Sequence, residues 1–196
     1  MSMVLYHVGF DIIKNPDIHY GRKNADFGQG FYLTDDKEFS YRWAKERSGS
    51  DTIINEYELD TTGLNILSFE RGSDWFDYIY DNRNHKADKV SADVIIGPIA
   101  NDIIYDVMGI TTSGILPKED AKKLLMIGDE YKQIVIKSEK AVSQLKWITS
   151  DVISPARLKV YHEQMIKEEQ EFQTLFANTM VLRQDLVQIK MRGSVS

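Results

Sequence analysis

Hydrophobic positions along the chain change period several times, and each change marks an element. Val4 to Tyr6 reads as a short strand ending at His7, and Gly30 to Thr34 as a second strand in which aromatic and smaller side chains alternate. Asp35 to Arg47 predicts a helix. Asp35, Asp36 and Glu38 favour its N-terminal end, Phe39, Trp43 and Ala44 share a face, and Ser48-Gly49-Ser50 stops it. Thr52 to Leu59 patterns as a half-buried strand, and Asp74 to Asn82 as a helix that turns Trp75, Phe76 and Ile79 inward. Asp93 to Ile99 is a compact apolar strand halted at Gly97-Pro98, after which Ala100, Asn101 and Asp102 open the next segment. Pro117 begins a helix with Ala121, Leu124 and Leu125 on one face, and Tyr131 to Ile136 is the last convincing strand.

Strands and helices interleave irregularly, and several connections are too short for parallel crossovers. The expected class is α+β, with a mixed or mainly antiparallel β core and flanking helices over residues 1–150. Residues 151–196 are expected to form a C-terminal helical extension. Ser154 caps it, Pro155 suits its first position, and no Gly or Pro recurs until Gly193. Leu158, Tyr161, Met165, Phe172, Leu175, Leu182, Leu186 and Ile189 follow three- and four-residue steps, one apolar stripe on a helix of roughly 50 Å. Such a helix either folds back on its domain or meets a partner, a second copy or another protein.

Composition narrows the function classes. The 196 residues, 42% hydrophobic and 28% charged, suit one main domain with a sizeable core. A net charge of -6 gives no global positive field for nucleic acid, so a nucleic-acid substrate needs a local patch. No secretory leader or membrane span is legible, and there is no cysteine, which together lead us to expect a cytoplasmic protein. His7, His19, His85 and His162 lack zinc-ligand spacing, so no metal is expected. His19, His85 and His162 read as surface residues. Arg22-Lys23 and Asn82 to Lys86 read as solvated basic loops, with phosphate binding as the alternative.

The run Asp26-Phe27-Gly28-Gln29-Gly30-Phe31-Tyr32-Leu33-Thr34 concentrates the candidate chemistry. Its glycines permit left-handed backbone or close approach to a ligand, and Phe27, Phe31 and Tyr32 supply flat apolar faces. Core packing accounts equally well for part of that aromatic alternation.

With Leu5-Tyr6-His7 upstream and a following segment bearing Ser40 and Trp43, the run resembles the nicotinamide-binding half of ADP-ribosyltransferases of the diphtheria-toxin and poly(ADP-ribose) polymerase type. LYHVG, DFGQGFYLT, Trp43-Ala44, Asn82-Arg83 and DVIIGPIAND look like an uncharacterised bacterial family placed in the same superfamily. The resemblance covers about residues 4 to 147 and implies an ADP-ribosyltransferase-like fold with NAD+ as substrate. It implies that His7 orients a ribose hydroxyl, that Tyr32 and Trp43 hold the nicotinamide ring, and that Ser40 bonds the carboxamide. Val8, Gly9, Phe27, Gly28, Gly30 and Phe31 would line that site.

Two departures from the pattern matter. The polymerases have His-Gly, whereas Val8 follows His7 here and Gly9 comes one position later. The glutamate expected on a late strand falls at Lys132 or Gln133, of which Gln133 is favoured, with Asp102 able to supply the carboxylate that Gln133 lacks. Asn101 and Asp102 are site residues or simply a helix cap. A neutral amide accepts a hydrogen bond from a hydroxyl but is no base, which favours single ADP-ribose transfer or NAD+ hydrolysis over polymer synthesis. The expected function is therefore a mono-ADP-ribosyltransferase acting on a macromolecule, protein or nucleic acid, as a bacterial toxin or defence effector with a possible inhibitor protein. The alternative is a catalytically silent NAD or nucleotide binder that acts through partner contacts of its C-terminal helix.

Overall fold

The strands assemble into two β-sheets, and among the described residues a single bridge joins them. The computed structural model describes residues 1–88, 90–100 and 130–193. The segment from Pro117, together with Asn101 and Asp102, lies outside the described residues. β1 (Ser2–Gly9), β3 (Ile53–Asp60) and β7 (Leu145–Val152) form a three-stranded antiparallel sheet in the order β1-β3-β7. β2 (Phe31–Leu33), β4 (Ile66–Ser68), β5 (Val94–Pro98) and β6 (Lys132–Ile136) form the other, in the order β2-β6-β5-β4. β4 and β5 are parallel, joined through helix α2 (Ser73–Arg83), and the remaining pairs are antiparallel. The molecule is thus α+β with two mostly antiparallel sheets, as expected.

Strand parity sorts the core into layers. Leu5, Tyr57 and Leu59 from the first sheet meet Leu33, Ile134 and Ile136 from the second, filling the space between the sheets. On the far side of the second sheet, Ile95 and Val135 pack under Trp75, Phe76 and Ile79 of α2, together with Phe27. Trp75 is fully buried there, and its indole N–H donates to the Pro98 carbonyl at 2.8 Å. Beyond the first sheet, Val8 and Ile54 pack against Tyr41, Ile153 and Leu158.

Three expectations are corrected. The helix predicted over Asp35 to Arg47 is α1 (Lys37–Ser40) followed by a 3-10 turn (Tyr41–Trp43), and Ala44 is extended. Asp36 caps α1 by accepting from the Phe39 N–H at 2.9 Å. Phe39, Ser40 and Tyr41 are all buried, a run that one face of an α-helix does not supply, and the chain tightens accordingly. Tyr131 to Ile136 is not the last strand: after α3 (Glu139–Ser143), capped by Ser138, β7 completes the first sheet. Its exposed positions include Lys146 and Asp151, and a register shift in its pairing with β3 interrupts the alternation. The third correction is the short β4, which no alternation announced.

The C-terminal helix α4 runs Pro155–Gly193. Leu158 is buried, Tyr161 stacks on Tyr41 with ring centroids 5.0 Å apart, and Arg42 pairs with Glu168, so the helix is docked through its first turns. Among the described residues no helix is long and apolar enough to cross a membrane.

Candidate functional site

The main chains of β1 and the β2 segment pair where Tyr6 and Thr34 exchange N–H···O bonds of 2.8 and 3.0 Å. Toward Gly9 the strands part, and the His7 ring spans the opening: Nδ1 lies 2.8 Å from the Tyr32 carbonyl oxygen and donates to it. That bond fixes the tautomer and leaves Nε2 as an acceptor. Burial lowers the His7 pKa below its ordinary value and outweighs the opposing pull of the carbonyl, so the ring is neutral at neutral pH. Phe31 lies beside it, with ring centroids 4.6 Å apart. Gly9 keeps Nε2 clear, since a Cβ there would sit 3.3 Å from it.

Ladder parity adds a second feature. Tyr6 turns both main-chain groups toward β2, so Val8, two residues on, turns its N–H and C=O the same way. Neither group meets a hydrogen-bond partner among the described residues. A donor and an acceptor on one strand edge match the two ends of a primary carboxamide.

The glycine-aromatic turn is folded into the protein's own interior. Phe27 is fully buried beside Phe69 and Tyr78, with ring centroids 5.8 and 6.0 Å away, and those two rings stack on each other at 5.1 Å. The Tyr32 hydroxyl donates to the Gly28 carbonyl at 2.7 Å and accepts from the Phe27 N–H at 3.0 Å. Burial, with the Asp26 carboxylate second, pushes the Tyr32 pKa well above its ordinary value, so the hydroxyl stays a donor. Gly28 has φ 71°, the left-handed conformation foreseen for it. Gly30 serves close packing: a Cβ there would lie 2.6 Å from Val135 Cγ1 and 2.7 Å from the Ile136 carbonyl oxygen.

Tyr32 and Gln133 both face α2, whereas His7 lies on the side between the sheets. The three are therefore neighbours through backbone, not through converging side chains. Gln133 is buried and its amide donates to Asp26 Oδ2 at 3.1 Å. Asp26 also accepts from Arg83 Nε at 2.7 Å and from the Ala100 N–H at 3.3 Å. Asn82 donates to the Asp26 main-chain carbonyl at 3.0 Å. This corrects the reading of Asn82 and Arg83 as a solvated or phosphate-binding loop: both sit on α2 and lock the turn. Lys137 reinforces them by donating to the Phe27 carbonyl at 2.6 Å and pairing with Asp88 at 3.0 Å. His19, His85 and His162 are exposed, as expected.

A model of one protein family matches residues 3–147. The chain belongs to DUF3990, a family of proteins of unknown function. Nothing among the curated proteins or the solved structures matches it. The DUF3990 span takes in the whole β1–β2 opening and the Asp26 cluster and ends within β7, before α4.

Within that DUF3990 span, Ser40 and Trp43 fall on the far side of β1. Ser40 is fully buried and its hydroxyl donates to the Lys37 carbonyl at 2.6 Å. Trp43 is half-buried, edge-on to Phe39 at 5.3 Å. Phe39 stacks on Tyr131 at 4.2 Å, with the Arg42 guanidinium 4.6 Å from the Tyr131 ring centre. Phe39 and Tyr131 line a cleft of about 400 Å³ that α4 closes with Arg157, Tyr161 and Gln164. Among the described residues, then, His7, Val8, Gly9, Phe31 and the Tyr32 backbone come together, while Ser40 is buried elsewhere and Trp43 packs behind Phe39, a ring that lines a separate cleft. Asp26 is the residue that sequence reasoning missed, and its signal was an acid placed directly before a buried aromatic turn.

Proposed function

We propose that this DUF3990 chain binds NAD+ by its nicotinamide end at the β1–β2 opening and transfers one ADP-ribose to a macromolecule. The observation that carries the reading is the Val8 main-chain donor and acceptor at the parted strand edge, beside His7 with its Nε2 kept clear by Gly9. The nicotinamide carboxamide pairs with Val8, Phe31 offers an apolar face, and His7 Nε2 accepts from a ribose hydroxyl. The resemblance of LYHVG and DFGQGFYLT to ADP-ribosyltransferases supports the same assignment, and with it an ADP-ribosyltransferase-like arrangement of the two sheets.

In the reaction the bond between the nicotinamide ring nitrogen and ribose C1′ breaks, and its electron pair leaves with neutral nicotinamide. An acceptor nucleophile, or water in hydrolysis, then bonds C1′ and releases a proton. Positive charge gathers on the sugar in between, so orientation by His7 and the strand edge supplies most of the catalysis. The acceptor is a protein or a nucleic acid, and a role as a cytoplasmic toxin or defence effector follows from the same resemblance.

A second reading has an observation of its own. The Gln133 amide is committed to Asp26, whose charge Arg83 neutralises, so β6 presents no free carboxylate to a cationic sugar. That favours a silent NAD or nucleotide binder. Incubation with NAD+ and cell extract separates the two: nicotinamide release that falls by roughly 10²-fold in His7→Ala supports the transferase. Binding without release, measured by calorimetry, supports the silent binder, and no binding overturns both. Gln133→Ala is expected to weaken folding more than release.

A further inference from the structure

Alternation along β1 turns the Val8 side chain away from the His7 ring, onto the far face of the first sheet. There it is buried with Ile54, Tyr41, Ile153 and Leu158. Leu158 lies on α4, outside the DUF3990 span of residues 3–147. Around it the helix is seated on the same layer by side chains of its first turns: Tyr161 stacks on Tyr41 at 5.0 Å, and the Arg157 guanidinium lies 4.4 Å from the centre of that ring. Glu38 of α1 accepts from Arg157 at 3.3 Å and from the Tyr161 hydroxyl.

Val8 is where such support counts. β1 pairs with β3 as far as Gly9, opposite Ile53, whereas toward β2 its main chain is bonded at Tyr6 and, among the described residues, not at Val8. A strand end bonded along one edge frays or tilts readily about that edge, so its angle depends on what its side chains rest on. We propose that Leu158 and Tyr161 are positioning residues: through Tyr41 they hold the Val8 edge at the angle at which its N–H and C=O meet the carboxamide of NAD+. The ligand here rests on the nicotinamide reading, whereas the coupling of α4 to the edge rests on the geometry alone. A loosened edge spends less time at that angle, which weakens apparent binding, while saturating NAD+ draws the edge back and keeps the chemical step. The working site thus takes in the first turns of α4 as well as the DUF3990 span.

The full chain and its variants are tested with NAD+ by calorimetry and steady-state nicotinamide release, and without NAD+ by amide hydrogen exchange. In Leu158→Ala, Kd and KM are expected to rise about tenfold with kcat held within about twofold. The His7 and Gly9 amides, which the ladder turns toward β3, should exchange about tenfold faster relative to the Val135 amide of the second sheet. Leu158→Met refills the volume and should restore every value. Tyr161→Leu, at the half-buried rim of the layer, should raise Kd in the same direction by about threefold, which decides the matter if Leu158→Ala does not fold. Unchanged Kd in both variants of a chain that binds NAD+, a fall in kcat at unchanged KM, or exchange that quickens by one factor at His7, Gly9 and Val135 would overturn the proposal. Absence of NAD+ binding by the unmodified chain overturns the nicotinamide reading instead, and the exchange rates then decide whether α4 holds the edge.

Discussion

Tyr32 is tied down at both ends, its hydroxyl inside its own turn and its carbonyl under His7. Tyr32→Phe leaves the Gly28 carbonyl and the Phe27 N–H without that partner, and it should cost about 1–3 kcal/mol in chemical denaturation. Nicotinamide release should change little, because the Tyr32 side chain faces α2 and only its backbone reaches the opening. Arg83→Met leaves the buried Asp26 carboxylate without its cation and should destabilise by about 3–5 kcal/mol, a loss that Asp26→Asn in the same chain partly reverses. His7 sets a pH dependence of known sign. Its folded pKa lies below the ordinary value of 6.5, so its contribution to stability is complete above that value. As pH falls below it, the unfolded chain takes up a proton that the folded ring resists, and stability is lost until the folded pKa is passed. The pH dependence of the denaturation midpoint should flatten in His7→Gln. At this scale the sequence made the glycines and His7 legible, since their roles are local. It concealed Asp26, because the groups that hold it lie 57, 74 and 107 positions away.

Elements were legible where an apolar pattern marks them plainly, on one face for β1, β3 and α2 and on both faces for β5 and β6. β1, β3, β5, β6 and α2 all lie within a few residues of their expected positions, because each carries a clean apolar face over its whole length. α1 and its 3-10 turn were misjudged because packing from three directions outweighs the helical period. β7 was missed because exposed polar residues and a register shift interrupt its alternation. Two substitutions probe these elements. Gly30→Ala forces a methyl into Val135 and the Ile136 carbonyl and should cost roughly 1–3 kcal/mol, read from the thermal midpoint. Ser138 caps α3 by accepting from the Ala141 N–H at 3.1 Å and also donates to Asp93 at 2.6 Å. Ser138→Ala should therefore cost about 1 kcal/mol in the same measurement.

In the whole molecule, four layers follow in order: α2, the β2-β6-β5-β4 sheet, the β1-β3-β7 sheet, and the α1 turn with the start of α4. No residue pattern announced that order, because it depends on which edge of each sheet meets the other, and the Tyr6–Thr34 bridge decides it. Beyond the bridge, toward Gly9, the two sheets part at the β1–β2 opening. The three tryptophans fall one to a zone of this stack. Trp75 lies sealed between α2 and its sheet, Trp147 lies in β7 with the Lys14 ammonium 4.7 Å from its ring centre, and Trp43 packs on Phe39, which lines the cleft that α4 closes. Their fluorescence is therefore a zoned reporter. Single-tryptophan variants should show Trp75 emitting furthest to the blue and Trp43 responding first when α4 is peeled away, so the order in which the layers let go can be followed by light.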